Sequence, residues 1–261
     1  MYIFNRMRQL YETSKPGTTE YILAQYILLN IRKAENFSVA SISENTAISK
    51  SAVSKFIKSL SFDHGFTQFK SSLEFELQFI RLDYQTLIYD ARSCKDADLI
   101  MGEEKYHFAD FIQKEDVEKL ARTLNQKKKI VFCGNDSKKN FFHQLINCLL
   151  FDGKDAKYVS WIYSDQQKQD LTMLDESSVL IIVDPDSNIY DFFLRLTMSV
   201  EVTPELSKIK TEKFYIGRPS KDKENFDTIG IETTRHVFID DMILSYFTSQ
   251  LLMTYLQLNV H

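Results

Sequence analysis

Ser38–Phe56 reads SVASISENTAISKSAVSKF, two short amphipathic segments separated by a small-residue turn. Ser38 is placed to cap a first helix whose inward positions are Val39 and Ile42, and Ser43 supplies a small side chain where a second helix must cross closely. Ala47 marks the turn, in place of the glycine that would reach a left-handed conformation at no steric cost. Ile48 packs inward and Ser49 caps the next helix, which puts Val53, Phe56, Ile57 and Leu60 on its buried side. Lys50, Ser51, Ala52, Ser54, Lys55 and Lys58 are left facing out. Short polar groups near a helix start reach base edges in a major groove, and lysines along its length neutralise phosphates. The spacing therefore predicts a helix-turn-helix whose second helix reads duplex DNA, with Ser49, Lys50, Ser51, Ala52, Ser54, Lys55 and Lys58 as the contacting set. Helix pairs with solvated lysines also occur in all-helical domains that never meet DNA, and their spacing is the same.

Working outward, the segment to about Leu77 reads as entirely helical. A short amphipathic stretch surrounds Met7 and Leu10, Lys15-Pro16-Gly17 breaks it, and Thr18 or Thr19 opens a helix carrying Ile22, Leu23, Tyr26, Ile27 and Leu29. Phe62, Phe66 and Phe69 around Gly65 indicate a turn into a long helix through Leu73, Leu77 and Ile80. Residues 78–108 continue as a helical connector, containing no proline and only Gly102.

After Glu115 the rhythm changes to short apolar runs alternating with longer amphipathic ones. Lys129–Cys133, Ala156–Ser160, Ser178–Val183, Lys213–Ile216 and Thr228–Ile231 are the expected strands. Strands alternating with helices imply a mostly parallel sheet covered by helices, whose ligands sit beyond the carboxyl ends of the strands, here at the loops of Gly134 and Asp184. Asp240–Leu258 closes the chain with a broad apolar face of Ile243, Leu244, Phe247, Leu251, Tyr255 and Leu256, suited to core packing or a dimer interface. The fold expected is thus an all-α helix-turn-helix domain (1–77), a helical connector (78–108) and an α/β domain (109–261).

Bulk properties bound the chemistry. A chain of 261 residues, 44% hydrophobic, suffices for two ordinary cores. A net charge of −4 excludes a uniformly basic nucleic-acid coat, yet from Thr46 to Lys70 the charged residues are Lys50, Lys55, Lys58, Lys70 and only Asp63. Cys94, Cys133 and Cys148 have no paired short spacing and read as reduced thiols; His64, His107, His143, His236 and His261 show no ligand spacing, so no metal is expected. No Gly-x-Gly occurs among the seven glycines, which removes dinucleotide and nucleotide-triphosphate loops, and no cofactor is expected. The amino terminus lacks the long apolar segment of a secretory signal and no apolar run approaches membrane-spanning length, so a cytoplasmic, membrane-free protein is expected.

With both halves in view, the chain resembles the RpiR family of bacterial transcriptional regulators, which join an amino-terminal helix-turn-helix domain to a sugar isomerase (SIS) domain. The resemblance rests first on SVASISENTAISKSAVSKFIKSLSFDHGFTQFK, with its small-residue turn at Ala47, serine cap at Ser49, Gly65-Phe66 and Phe69-Lys70; Lys55 stands where the family usually has arginine. It rests second on IVFCGNDSKKN, similar to the family's strand followed by a glycine-and-serine loop, with Gly134 as first glycine and Gly153 matching a later one. Asp136 occupies the place of the second glycine, and Lys138 that of the phosphate-binding serine. The loop ending Ser178–Asn188 resembles the family's serine-rich cradle but reads VDPDSN, with Asp184 and Asp186 where hydroxyls are usual.

The resemblance implies a non-enzymatic regulator of carbohydrate metabolism that reads an operator as a homodimer and responds to a sugar or sugar phosphate. Its implied effector residues are Gly134, Asn135, Ser137, Lys138, Asp184, Ser187 and Asn188. Two carboxylates oppose a phosphate, since like charges about 4 Å apart cost roughly one to several kcal/mol depending on local dielectric. Three accounts stay open: Lys138 and Lys139 offset the carboxylates, the pocket takes an uncharged or amino sugar, or the fold persists as a dimerising platform. An isomerase-like enzyme is the rival from another class, with Glu232 as the one carboxylate near a late strand end able to serve as base.

Overall fold

The computed structural model describes residues 3–62, 64–93, 111–160, 171, 173–184, 210–217, 226–231 and 237–259. Two compact units emerge: Met1–Gln85 together with Cys148–Asp155, and Thr86–Asn147 together with Ala156–His261.

The first unit is helical, built from α1 (Ile3–Thr13), α2 (Thr19–Leu29), a 3-10 turn (Ile31–Asn36), α3 (Val39–Thr46), α4 (Lys50–Ser59) and the start of α5 (Phe66–Ser93). Side chains satisfy amides left free at the starts of α1 to α4. Thr18 accepts from the Tyr21 N–H, Ser38 and Ser41 form a reciprocal capping box, and Ser49 accepts from the Ala52 N–H. At α1 the cap comes from far along the chain: the buried Glu76 carboxylate of α5 accepts the Ile3 and Phe4 amides at 2.5 and 3.1 Å. Burial raises the Glu76 carboxyl above its ordinary value despite those two bonds.

Met7, Leu23, Ile27, Ile42, Val53, Ile57, Phe69 and Leu73 form the core of this unit, with Phe69 meeting Phe62 edge-on at 5.4 Å. In α2 the buried set is Tyr21, Leu23, Ala24, Ile27 and Leu28, while Ile22, Tyr26 and Leu29 are half-buried. The single inward stripe expected from spacing is therefore broader, because α2 packs against α1, α3 and α4. The long helix runs on through the first part of the expected connector to Ser93; residues 94–108 lie outside the described residues.

A second stretch of chain completes the helical unit. Helix α7 (His143–Phe151) ends in it, and the chain turns there into the strand β2 (Asp155–Ser160). Gly153 adopts φ +76°, and the Gly153 and Lys154 amides donate to the Leu150 and Leu149 carbonyls, the paired bonds of a Schellman stop. The turn places two carboxylates against the helices. Asp152 accepts the Tyr84 hydroxyl at 2.7 and 2.8 Å and the Arg32 guanidinium at 2.9 Å. Asp155 accepts the Tyr11 hydroxyl and the Gln25 amide, the latter at 3.1 Å. Arg32 also lies over the Phe151 ring at 4.4 Å, and that ring packs on Tyr84 at 4.8 Å.

The second unit is α/β. Its five-stranded sheet has the order β2-β1-β3-β4-β5, from β1 (Lys129–Gly134), β2 (Asp155–Ser160), β3 (Ser178–Asp184), β4 (Glu212–Gly217) and β5 (Asp227–Gly230). The pairs β1–β3, β3–β4 and β4–β5 are parallel. All five expected strands are present, each end within one residue of the expected one. Every residue of β3 is buried, as an interior strand of a covered parallel sheet requires. Alternate residues share a face: Val131, Cys133, Leu180, Ile182 and Tyr215 pack together with Val159, Leu171 and Leu174. Helix α6 (Lys114–Gln126) begins with Glu115 and Asp116, favourable at its positive end, and packs on α8 (Val237–Leu258). The apolar face expected of the final helix is buried within this unit at Ile243, Leu244, Phe247, Leu251, Tyr255 and Leu256. Cys133 and Cys148 are free, buried thiols, each pushed up to about 12 by desolvation; Cys94 lies outside the described residues.

Asp152→Ala leaves the Tyr84 hydroxyl and the Arg32 guanidinium without this acceptor. It is expected to lower the unfolding free energy by about 2 kcal/mol, measured by urea denaturation.

Candidate nucleic-acid interface and effector site

The turn between α3 and α4 forms around Ala47, which adopts φ 57° and ψ 18° in the left-handed region. That conformation costs a residue with a Cβ about 1–2 kcal/mol, and here it is compatible with the Ser49 cap two residues on. Val53, Phe56, Ile57 and Leu60 are buried, as the spacing requires, which fixes the rotation of α4. Lys50, Ser51, Lys55 and Lys58 are exposed as a consequence, together with Ser49, while Ala52 and Ser54 are half-buried. None of the three lysines forms an ion pair among the described residues, so their ammonium groups remain available to an external anion. Lys70, counted with them in the sequence, is engaged: it donates to the Glu35 carbonyl at 2.6 Å and lies 3.8 Å from Glu74.

Sequence reasoning missed Arg6, whose guanidinium donates to the Ser59 carbonyl at 3.3 Å. A cation at the carboxyl end of α4 complements the helix dipole, and only the packing of α1 brings it there.

In the α/β unit, Gly134 ends β1 and Asp184 ends β3, the adjacent strands where the sheet order reverses. This is the topological switch point at which open α/β sheets bind ligands. The residues there are largely engaged with one another. A Cβ at Gly134 would fall 2.5 Å from the Tyr158 hydroxyl and 2.6 Å from the Val183 carbonyl oxygen, so glycine is required by close packing. The Tyr158 hydroxyl donates to the Asn135 carbonyl at 2.9 Å, and burial holds it well above its ordinary value, hence protonated. Asn135 caps the following 3-10 turn (Asp136–Phe142) by accepting from the Ser137 amide at 3.1 Å. Asn135, Asp136 and Ser137 are exposed.

Lys138, at 3% exposure, is buried, and its Nζ lies 2.5 Å from the Asp241 carboxylate of α8. Asp184 is fully buried, and its Oδ2 accepts the Tyr215 hydroxyl at 2.7 Å. Gly153, the later glycine of the motif, serves as the helix stop of the first unit. Ser187, Asn188, Asp186 and Glu232 lie outside the described residues. Tyr158, Tyr215 and Asp241 were not legible as site residues, because each is an ordinary strand or helix position until the sheet is assembled. Among the described residues no cluster of His, Cys, Asp or Glu could hold a metal, and no helix is long and apolar enough to cross a membrane.

These features define a helix-turn-helix domain joined to a parallel α/β unit. Residues 1–79 match the family model described as helix-turn-helix domain, rpiR family, and the amino-terminal domain of this chain belongs to that family. Solved structures similar to the chain include the Vibrio vulnificus NanR protein complexed with ManNAc-6P, at 14% identity over 97% of this chain and 89% of that one, TM-score 0.37. The sugar isomerase domain of an RpiR transcription factor from Sphaerobacter thermophilus is 12% identical over 58% and 89%, TM-score 0.38. A proposed sugar-phosphate isomerase from Listeria monocytogenes is 12% identical over 69% and 91%, TM-score 0.44. These likenesses are too distant to carry a functional argument. No curated protein matches the sequence.

Two substitutions test the local geometry. Ala47→Gly relieves the left-handed strain and is expected to raise the unfolding free energy by about 0.5–1 kcal/mol. Tyr215→Phe removes a donor from the buried Asp184 carboxylate and is expected to lower it by about 1–3 kcal/mol, both read as midpoint shifts in urea.

Proposed function

We propose that this protein is a cytoplasmic, sequence-specific DNA-binding transcriptional regulator that acts as a homodimer, with α4 as its recognition helix. The observation that carries the reading is the exposed face of α4, where Ser49, Lys50, Ser51, Lys55 and Lys58 stand on a domain of the rpiR family and the lysines form no ion pair among the described residues. Residues at the start of such a helix meet base edges, and lysines further along meet phosphates. Ala52 and Ser54, half-buried on the flank of that face, complete the contacting set. One chain carries one recognition helix, and operator-length specificity calls for two, set one helical turn of DNA apart by a two-fold axis.

The α/β unit is the effector-sensing and dimerising part of this reading, and its loops after β1 and β3 are the place for a sugar-class ligand. The exposed Asn135 and Ser137 offer neutral polar groups, and the sequence following Asp184 adds the neutral side chains of Ser187 and Asn188. The Lys138 ammonium is matched by Asp241, and the Asp184 carboxylate is already hydrogen-bonded. That pairing supports an uncharged sugar over a phosphomonoester, since the cation nearest the first loop in sequence is already neutralised. In a regulator of this kind the ligand acts by favouring one disposition of the paired DNA-binding domains over another. A catalytic role is not part of the reading.

Genomic fragments selected by the full-length protein provide the operator. Lys50→Ala, Ser54→Ala and Lys55→Ala combined, with unchanged circular dichroism, are expected to weaken binding at least tenfold. The slope of log affinity against log salt is expected to flatten by about 2, one lysine–phosphate contact accounting for roughly 0.9. Unchanged affinity in that variant would remove the DNA-binding assignment.

A further inference from the structure

Helix α5 has a second apolar stripe that stands exposed among the described residues. Over its 28 residues it extends about 42 Å, and its inner side buries Phe69, Leu73, Leu77 and Tyr84. On another side Phe75, Phe79, Leu82 and Tyr89 are 63%, 49%, 59% and 69% exposed. With the exposed Thr86 they fall at successive intervals of 4, 3, 4 and 3 residues, the heptad spacing by which two helices pair along a seam. The Phe75 and Phe79 rings already meet edge-on at 5.0 Å, which pre-forms part of the surface. Single exposed apolar residues need no explanation, but among the described residues Met173 is the sole large exposed apolar side chain away from this stripe.

We propose that this stripe is a homodimer seam, occupied by α5 of a second copy of the chain running parallel to it. Area supports the occupant. An aromatic side chain buries roughly 150–250 Å², so Phe75, Phe79 and Tyr89, half to two-thirds exposed, together with the smaller Leu82 offer roughly 400–500 Å² per chain. That is more than half of the roughly 800 Å² per partner of a stable interface, before flanking residues are added. Charge supports the direction. Parallel pairing sets the exposed Gln78 of one helix across from Asp83 of the other, an amide facing a carboxylate. Antiparallel pairing would instead set the Asp83-bearing sides of the two helices against each other, a carboxylate toward a carboxylate. Parallel pairing also brings both recognition helices to one end of the seam, because α4 ends only a short turn before α5 begins.

The proposal deepens the homodimer of the preceding reading, and it is tested without DNA so that the two fail separately. Leu82→Cys is introduced into the full-length chain with Cys94→Ser; the two remaining cysteines are buried. A parallel seam places position 82 opposite itself, so mild oxidation at micromolar protein is expected to convert more than half of the chains into a reducible covalent dimer. Glu44→Cys on the exposed side of α3 is the control and is expected to stay uncrosslinked. In the otherwise unaltered protein, Phe79→Glu with Leu82→Glu changes only exposed positions and is expected to weaken self-association at least tenfold by sedimentation velocity, with unchanged circular dichroism. Crosslinking at position 82 no greater than in the control, or self-association unaffected by the two glutamates, overturns the seam.

Discussion

The helical unit depends on two carboxylates delivered by a distant stretch of its own chain. Asp152 and Asp155 receive hydrogen bonds from Tyr84, Arg32, Tyr11 and Gln25, on α5, the 3-10 turn, α1 and α2. Tyrosine hydroxyls in an apolar core need acceptors, and burial together with these carboxylates keeps Tyr11 and Tyr84 protonated and donating. Gly153 makes the delivery possible, because its left-handed backbone stops α7 and turns the chain within two residues. The four donors that hold the bundle in register thus converge on one short turn.

With the bundle fixed, the orientation of α4 follows. Its buried side is locked by Val53, Phe56 and Ile57, its start by the Ser49 cap, and its end by Arg6 on the Ser59 carbonyl. What remains outside is a row of short polar groups and of ammonium groups with no ion pair among the described residues, a surface whose chemistry matches a phosphate-lined groove. In the α/β unit the opposite economy holds. Among the described residues there, Lys138 is ion-paired with Asp241 and the Asp184 carboxylate accepts the Tyr215 hydroxyl, so both buried groups already have partners within the unit.

Much of this was legible in the residues. Helix periodicity and caps located α3 and α4, because Ser38 and Ser49 act on amides three residues away and the apolar stripe needs no distant partner to be read. Short β-branched and aromatic runs located the strands for the same reason. The effector loops were legible in position and illegible in state. Lys138 in the sequence is a loop lysine beside a glycine; only the return of α8, more than a hundred residues later, turns it into half of a buried ion pair.

By itself, then, the sequence determined the two unit types, the turn at Ala47, the faces of the helices and the placement of two loops at the strand ends, all set by interactions within a few residues. Tertiary structure alone decided that residues 148–155 belong with the helices, that Glu76 caps α1, that Lys138 and Asp184 are internally matched, and that α5 keeps a second apolar stripe exposed among the described residues. Burial and charge pairing depend on residues that are far apart in the chain and close in space, and one-dimensional spacing holds no record of that distance.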